Sequence, residues 1–210
     1  MTDCLFDGPA EAAATFVFSH GAGAPMDSDF MTHIAQGLGV RGIKVMRFEF
    51  PYMAERRMTG KKKPPPKAEI MMAYFADQVT GLGAQGAVFI GGKSMGGRIA
   101  SLIVDQLYDA GEVAGLVCLG YPFHPPGKPE RLRTAHLEAL SAPGLICQGE
   151  RDPFGTLEDV KTYKISSTIT LEWLADGNHD LTPRKASGRT AEQNQTQAIE
   201  AIARFISKVA

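Results

Sequence analysis

The sequence predicts an α/β fold: a mostly parallel, doubly wound sheet of about six to seven strands with helices on both faces and no large cap domain. Short apolar runs bounded by glycine, proline or polar turns alternate with longer segments whose apolar residues follow the helical period. Most of the short runs lack polar alternation, which is typical of strands covered on both faces. With 210 residues, the chain is expected to form a single domain over residues 1–210.

Six runs are predicted strands, and a further edge strand is possible before residue 15. The six occupy residues 15–19, 44–50, 87–91, 115–120, 144–148 and 168–174. Four helices are predicted from apolar stripes, which comprise Phe30, Ile34 and Leu38; Ile70, Tyr74 and Phe75; Ile99, Leu102, Ile103 and Leu107; and Ile199, Ile202, Phe205 and Ile206. A capping-box pair, Thr190 and Gln193, predicts the start of the last helix. Residues 51–67 are expected to form the one long irregular segment.

Composition favours a globular protein and argues against several other classes. Hydrophobic residues make up 44% of the chain and charged residues 21%, with a net charge of -1, so neither nucleic acid nor a membrane surface is an expected partner. Cys4, Cys118 and Cys147 have no metal-ligand spacing and fit a reducing compartment. Residues 1–14 lack the basic start of a secretory signal, and no apolar run is long enough to span a bilayer. A cytoplasmic location is therefore expected.

Residues 92–96 read Gly-Lys-Ser-Met-Gly and match the pattern G-x-S-x-G. The pentapeptide is weak evidence alone, but a predicted strand leads into it and a helical pattern leads out, as a nucleophilic serine on a sharp turn requires. Ser94 is the predicted nucleophile, Gly92 and Gly96 leave room where strand and helix nearly touch, and the Met95 N–H is a predicted oxyanion donor. The alternative is a glycine-rich turn with an idle serine.

A phosphate-binding loop is a second interpretation of the same residues. Gly92, Lys93 and Ser94 also match the end of G-x-x-x-x-G-K-[ST]. The spacing fails, because the first glycine would have to stand at Ala87, and Gly86 is one place early. The residues between are moreover a predicted strand rather than a loop.

A serine nucleophile needs a base and an orienting carboxylate further along the chain. His179 follows the last predicted strand and is the predicted base, and Asp152 follows the strand before it and is the predicted acid. Both loops should open at the carboxyl edge of the sheet, where ligands sit in open α/β folds. The weaker candidates are Glu150, Asp176 and Asp180 for the acid, and His20 and His124 for the base. Asp176 and Asp180 are interpreted as loop-shaping residues, and His33 and His136 as surface residues of helices.

Three loops contribute further candidates. Residues 18–23 are glycine-rich, and the Ala22 N–H is the predicted second oxyanion donor, although a glycine-rich turn needs no functional reason. Residues 51–67 carry a basic run that could recognise an anionic substrate or partner, or simply form a solvated surface. Residues 121–127 offer aromatic and proline walls. The candidate substrate-binding residues are His20, Tyr52, Lys93, Tyr121, Phe123 and His124.

From about residue 16 onward, the chain resembles the α/β-hydrolase superfamily. It resembles in particular a small family that includes a testis-expressed protein and a subunit of a histone-acetyltransferase complex. The matching motifs are S-H-G-A-G at 19–23, F-E-F-P-Y at 48–52, K-K-P-P-P at 62–66, G-G-K-S-M-G-G-R at 91–98 and Y-P-F-H-P-P-G at 121–127. The resemblance implies Ser94 as nucleophile, Asp152 as acid, His179 as base and a core without a large lid. It implies no particular substrate.

The predicted function is that of a serine hydrolase that acts by acyl transfer on a small-molecule ester or thioester, with no metal and no cofactor. A peptidase or an acyltransferase would use the same three residues. A protein of another class, a non-catalytic binding or scaffold protein that keeps the fold, is the main alternative, and a nucleotide-binding protein is a third. The sequence predicts no oligomeric state.

Overall fold

The computed structural model describes residues 4–84 and 86–210, and within them one sheet of seven strands has the order β1-β3-β2-β4-β5-β6-β7. The strands are β1 (Leu5–Asp7), β2 (Ala14–Ser19), β3 (Lys44–Phe48), β4 (Ala87–Lys93), β5 (Gly115–Leu119), β6 (Gly144–Gly149) and β7 (Ile169–Leu174). β1 pairs with β3 in the antiparallel direction, and all other pairs are parallel. The predicted fold class is confirmed, and the possible edge strand is β1.

Helices cover both faces of the sheet. They are α1 (Asp29–Gly39), α2 (Pro51–Thr59), α3 (Ala68–Thr80), α4 (Met95–Asp109), the single turn α5 (Leu157–Val160) and α6 (Ala191–Val209), with 3₁₀ turns at Ala135–Leu137 and Lys185–Ser187. α1 and α6 pack together on one face, and α3 packs against α4 on the other. Every residue of β2, β5 and β6 is buried, which explains their largely apolar character.

The start of α6 is the predicted capping box. The Gln193 N–H donates to Thr190 Oγ1 over 3.1 Å, and the Thr190 N–H donates to Gln193 Oε1 over 2.9 Å. These two bonds satisfy backbone donors that the first turn of a helix otherwise leaves unpaired.

The expectation of a long irregular segment over residues 51–67 was wrong for its first half. Residues Pro51–Thr59 form α2, with proline in its first turn and Gly60 ending it at φ 70°. Proline presets the backbone angle of a first helical turn, and glycine adopts the left-handed conformation that ends a helix. Tyr52 and Met53 anchor α2 in the core. Two strand ends also differ from the prediction by two residues, since β3 stops at Phe48 and β4 continues to Lys93, and the other ends of the six predicted strands agree to within one residue.

No helix in the described part of the chain is both long enough and apolar enough to cross a membrane.

Candidate active site

Ser94 lies at the turn between β4 and α4 in a backbone conformation that serine rarely adopts. Its φ is 51° and its ψ is -114°, and its N–H donates to the Leu119 carbonyl of β5 over 2.9 Å. A non-glycine residue with positive φ is strained, and the surrounding structure must hold it in place. This backbone conformation turns the chain sharply from β4 into α4 and places the serine hydroxyl at the carboxyl edge of the sheet.

Two glycines allow the close packing that fixes this turn. A Cβ on Gly92 would lie 2.4 Å from Ser19 Oγ, and a Cβ on Gly96 would lie 2.4 Å from the same atom and 2.7 Å from the His20 carbonyl oxygen. Ser19 Oγ is itself fixed, because it donates to the Gly91 carbonyl over 2.9 Å. No side chain fits at either glycine without displacing β2, as the sequence motif predicts.

His179 and Asp152 converge on Ser94 from loops that follow β7 and β6. His179 Nε2 lies 2.8 Å from Ser94 Oγ, and His179 Nδ1 lies 2.8 Å from Asp152 Oδ2. A carboxylate accepts only, so Nδ1 carries the proton and Nε2 accepts the serine hydroxyl hydrogen. The three predicted residues thus form one continuous hydrogen-bonded series in which the serine faces a basic nitrogen.

Gln148 and Phe154 support this series, and the sequence motifs did not point to either residue. Asp152 is fully buried, and it accepts from Gln148 Nε2 and from the Phe154 N–H, both over 2.9 Å. The Phe154 ring packs on the imidazole of His179, with 4.3 Å between ring centroids. Gln148 stood out only as a polar residue at the end of an apolar strand, and Phe154 only as an aromatic residue two places after Asp152.

The two predicted oxyanion donors flank Ser94. Neither the Ala22 N–H nor the Met95 N–H donates a hydrogen bond to another described residue, so both are available to a ligand. Tyr52 of α2 links the two positions, because its hydroxyl donates to the Ala22 carbonyl over 3.1 Å and lies 3.9 Å from Met95 Sδ. Burial raises the pKa of Tyr52 to about 12, so the hydroxyl keeps its proton.

Residues 12–207 match the family model for the Alpha/beta hydrolase domain. The chain belongs to the α/β-hydrolase family.

Solved structures of α/β-hydrolases share the architecture. An alpha-beta serine hydrolase homologue from Coxiella burnetii is 21% identical, with a TM-score of 0.67 over 99% of this chain and 91% of that chain. A lidless serine hydrolase from Xanthomonas campestris is 19% identical, with a TM-score of 0.67 over 97% and 89% of the two chains. Est1E from Butyrivibrio proteoclasticus with bound ferulic acid is 14% identical, with a TM-score of 0.70 over 98% and 95%. These likenesses support the fold.

Lys93, the last residue of β4, connects this strand of the α/β-hydrolase fold to the loop after β7 that carries His179, called the histidine loop below. Its ammonium donates to the His179 carbonyl over 2.6 Å and lies 3.3 Å from Asp180 Oδ1. The side chain passes over Gly120, whose φ is 62° and where a Cβ would lie 2.9 Å from Lys93 Nζ. Burial lowers the pKa of Lys93, and the carboxylates of Asp180 and Asp152 oppose that shift. The ammonium therefore binds the histidine loop through the His179 carbonyl and Asp180. Lys93 was predicted to bind substrate, and that role stays a prediction.

A cavity of about 310 Å³ opens beside Ser94. Its walls are largely apolar, and Ser94 and His179 both contribute to the lining. The lining residues are Gly21, Ala22, Gly23, Ala24, Ser28, Phe30, Met31, Lys93, Ser94, Phe154, His179 and Asp180. Of the six candidate substrate-binding residues, Lys93 alone lines this cavity.

His20 and Tyr121 lie in the interior, away from that cavity. His20 is fully buried, donates from Nδ1 to the Gly21 carbonyl over 2.6 Å and accepts at Nε2 from the Phe50 N–H over 3.1 Å. Burial lowers the pKa of His20, which agrees with a neutral ring that joins α2 to the loop after β2. Tyr121 is fully buried, and its backbone N–H donates to Gln148 Oε1 over 2.7 Å.

Phe123 and His124 also face the interior. Phe123 is fully buried against Tyr121, with 4.9 Å between ring centroids. His124 donates from Nδ1 to the Pro125 carbonyl over 2.9 Å, and its Nε2 lies 3.7 Å from Asp159, beyond hydrogen-bonding distance. The aromatic wall predicted for residues 121–127 is therefore part of the core.

The acidic residues around His179 shape its loop. Asp176 binds Arg184 and Arg151, and the hydrogen bond from Arg184 lowers the pKa of Asp176 to about 2. Glu150 accepts from the Asp176 N–H over 2.8 Å. These contacts leave Asp152 as the carboxylate that reaches the imidazole.

Proposed function

We propose that this α/β-hydrolase domain is a serine hydrolase that acts by acyl transfer on a carboxylic ester or thioester. Ser94 is the nucleophile, His179 the general base and Asp152 the group that orients the imidazole. The observation that carries the proposal is the pair of 2.8 Å hydrogen bonds that join the serine hydroxyl to a buried carboxylate through one histidine. Every step uses side-chain and backbone groups of this chain.

In the first half of the reaction, Ser94 Oγ attacks the carbonyl carbon while His179 Nε2 takes the hydroxyl proton. The carbonyl oxygen becomes an oxyanion, which the N–H groups of Ala22 and Met95 stabilise. When the tetrahedral intermediate collapses, the bond to the alcohol or thiol breaks. The imidazolium returns its proton to that leaving group, and an acyl-serine remains.

In the second half, water replaces the leaving group. His179 Nε2 takes a proton from the water, whose oxygen attacks the acyl carbonyl carbon and forms a second tetrahedral intermediate. Its collapse breaks the bond to Ser94 Oγ, which regains a proton from the imidazolium, and a carboxylic acid is released. Asp152 accepts the Nδ1–H throughout, and it stabilises the transient positive charge without taking the proton.

The apolar cavity beside Ser94 supports an acyl group of modest size. Phe30, Met31 and Phe154 offer it hydrocarbon and aromatic surface. An amide substrate, or an acceptor other than water, would use the same groups, so peptidase and acyltransferase activities are further outcomes of a substrate screen.

A fluorophosphonate probe tests the proposal, since it phosphonylates an activated serine. The wild type should be labelled and Ser94→Ala should not. Ser101→Ala is the matched control, because Ser101 Oγ also lies 2.8 Å from a histidine, His136, but is buried. The Ser101→Ala protein should be labelled as strongly as the wild type. A screen of p-nitrophenyl esters of increasing chain length then gives the acyl preference. A folded wild type that neither takes the label nor hydrolyses any ester would contradict the proposal and favour a binding or scaffold role.

Three narrower expectations stay predictions. The first is that the chain belongs to the family that includes the testis-expressed protein and the acetyltransferase-complex subunit. The second is that its partner is a small-molecule ester rather than nucleic acid or a membrane. The third is a cytoplasmic location.

A further inference from the structure

Among the residues that the structure describes, no carboxylate pairs with Arg98 or Arg133. Neither side chain has a hydrogen bond or ion pair to any residue in the described ranges 4–84 and 86–210. Both side chains are half-buried, and Arg98 Nε is buried with no hydrogen-bond partner at all. A buried guanidinium N–H without an acceptor is costly, and an acceptor supplied by a ligand would remove that cost at Arg98.

One buried polar cluster fixes the backbones of both arginines. Ser101 Oγ donates to the Arg98 carbonyl over 2.7 Å, and the Tyr121 hydroxyl donates to the Arg133 carbonyl over 3.0 Å. The two hydroxyl oxygens are 3.4 Å apart, and His136 Nε2 lies 2.8 Å from the first and 3.3 Å from the second. Both hydroxyl hydrogens are already used, so His136 Nε2 carries a proton and donates. His136 was predicted to be a surface residue, and the structure instead places it half-buried in this cluster.

The charges in this region are predominantly positive. Burial and the nearby charge of Arg98 lower the pKa of Arg133, and the same two causes lower the pKa of His136 to about 4. Asp105 is the carboxylate that acts on His136, but it accepts from the Ser141 and Ala142 N–H groups. An anion placed between the guanidinium groups would relieve the repulsion between them.

Arg98 lies close to Ser94 along α4. The Arg98 N–H donates to the Ser94 carbonyl over 3.0 Å, so Arg98 is one turn, about 6 Å along the axis, further down α4. Side chains on a helix lean toward its N-terminus, which here is Ser94. Neither arginine lines the apolar cavity. An anion held by the two arginines would therefore lie outside the cavity proposed for the acyl group.

We propose that Arg98 and Arg133 form a binding site for an oxyanion, a carboxylate or a phosphate, on the leaving-group portion of the substrate. This proposal rests on the proposed serine hydrolase activity, and it narrows the substrate class to esters or thioesters whose alcohol or thiol carries a negative charge. The planar guanidinium groups match the paired oxygens of either anion.

A binding measurement tests the site without any hydrolysis. Calorimetric titration of the Ser94→Ala protein with inorganic phosphate and, separately, with succinate should show binding of at least one probe. Adding Arg98→Gln or Arg133→Gln should weaken it by about tenfold or more. Arg131→Gln is the matched control, because Arg131 is an exposed residue of the same loop, and it should leave the affinity within about twofold. Arg133 is a loop residue, so its variant decides the question if Arg98→Gln does not fold.

Binding of neither probe, or equal weakening by Arg131→Gln, would overturn the site. The probe that binds with the higher affinity shows whether the site prefers a carboxylate or a phosphate.

A kinetic comparison links the site to the reaction. Three butanoate esters share one acyl group, and their leaving groups are 4-hydroxybenzoate, 4-hydroxyphenyl phosphate and the neutral methyl 4-hydroxybenzoate. The wild type should prefer one of the charged esters by about tenfold in kcat/KM, and Arg98→Gln and Arg133→Gln should remove that preference while Arg131→Gln keeps it. Hydrolysis of all three esters without preference contradicts the anion site and leaves the serine hydrolase intact. Absence of fluorophosphonate labelling in the wild type would instead contradict the hydrolase.

Discussion

Ser94 and the two residues hydrogen-bonded in series with it, His179 and Asp152, are positioned by different kinds of interaction. Ser94 is held by the backbone, in a turn so tightly packed that a single Cβ at Gly92 or Gly96 would meet Ser19. His179 and Asp152 lie on loops and are held by side chains: Lys93, 86 residues away in the chain, binds the His179 carbonyl, and Gln148, four residues before Asp152, binds its carboxylate. The turn is therefore expected to respond to changes in volume, and the loops to changes in hydrogen bonding and charge.

The largest effect is expected on the loop side, from Asp152→Asn. The amide keeps the shape of the carboxylate but presents a donor or a weaker acceptor to His179 Nδ1, which favours the wrong tautomer. Ester hydrolysis should fall by about 10⁴-fold in kcat, with little change in the thermal unfolding midpoint. Asp176→Asn is the control, because Asp176 shapes the loop without touching the imidazole; a comparable loss of kcat there would contradict the assignment of Asp152.

Lys93→Met should have the next largest effect. The variant keeps the length of the buried stem and removes the ammonium that holds the His179 carbonyl. Hydrogen bonds to charged groups contribute about 1.5–3 kcal/mol, so kcat should fall by roughly 10- to 100-fold while KM changes less. Steady-state kinetics across pH measure this effect. Asp180→Asn removes only the exposed partner of Lys93 and should cost less than about threefold; if it matches Lys93→Met, the ion pair rather than the carbonyl contact is what matters.

On the turn side, Gly96→Ala should lower the free energy of unfolding by about 2 kcal/mol or more. The new methyl group would lie 2.4 Å from Ser19 Oγ and 2.7 Å from the His20 carbonyl oxygen, and this overpacking outweighs the gain of about 1 kcal/mol that alanine brings to a helix. Urea unfolding measures the change. Gly23→Ala is the matched control, because a Cβ at Gly23 would have no other atom within 4 Å, and it should stay within about 0.5 kcal/mol. An equal change in the free energy of unfolding for Gly96→Ala and Gly23→Ala would contradict the special sensitivity of the Ser94 turn to added volume.

The smallest effect concerns His136, which packs behind the turn on Ser101 of α4. Its pKa in the folded protein, about 4, is below the ordinary value of 6.5, so the unfolded chain binds the proton first as the pH falls. The contribution of the neutral ring to stability is thus present above pH 6.5 and is lost between there and pH 4. Relative to His136→Gln, the wild type should lose on the order of 1 kcal/mol more over this interval, since solvent screens the half-buried ring. Parallel stability curves for the two proteins would contradict this account.

The comparison also explains how far the sequence predicts the molecule. The turn at Ser94 is encoded locally, because its glycines, the strand before it and the helix after it lie within about twenty residues. The positions of Asp152 and His179 after successive strands could be predicted from the alternation of strands and helices along the chain. The contacts of Lys93 and Gln148 span the fold, and no local pattern records them. The assignment of the aromatic residues of 121–127 to a substrate wall was wrong. The direction of these side chains depends on how β5 ends, and sequence periodicity does not specify that. α2 was missed although Pro51 and Gly60 mark its two ends.

The amide of Gln148 connects three segments at once, since it contacts the backbone of Tyr121, the carboxylate of Asp152 and the carbonyl of Gly155. A protein engineer who wishes to graft a lid onto this scaffold therefore has little freedom at the end of β6, where an inserted segment would pull the acid away from its histidine. Residues 127–132 are exposed and lie outside these contacts, so a longer connection there would leave the contacts of Gln148 in place.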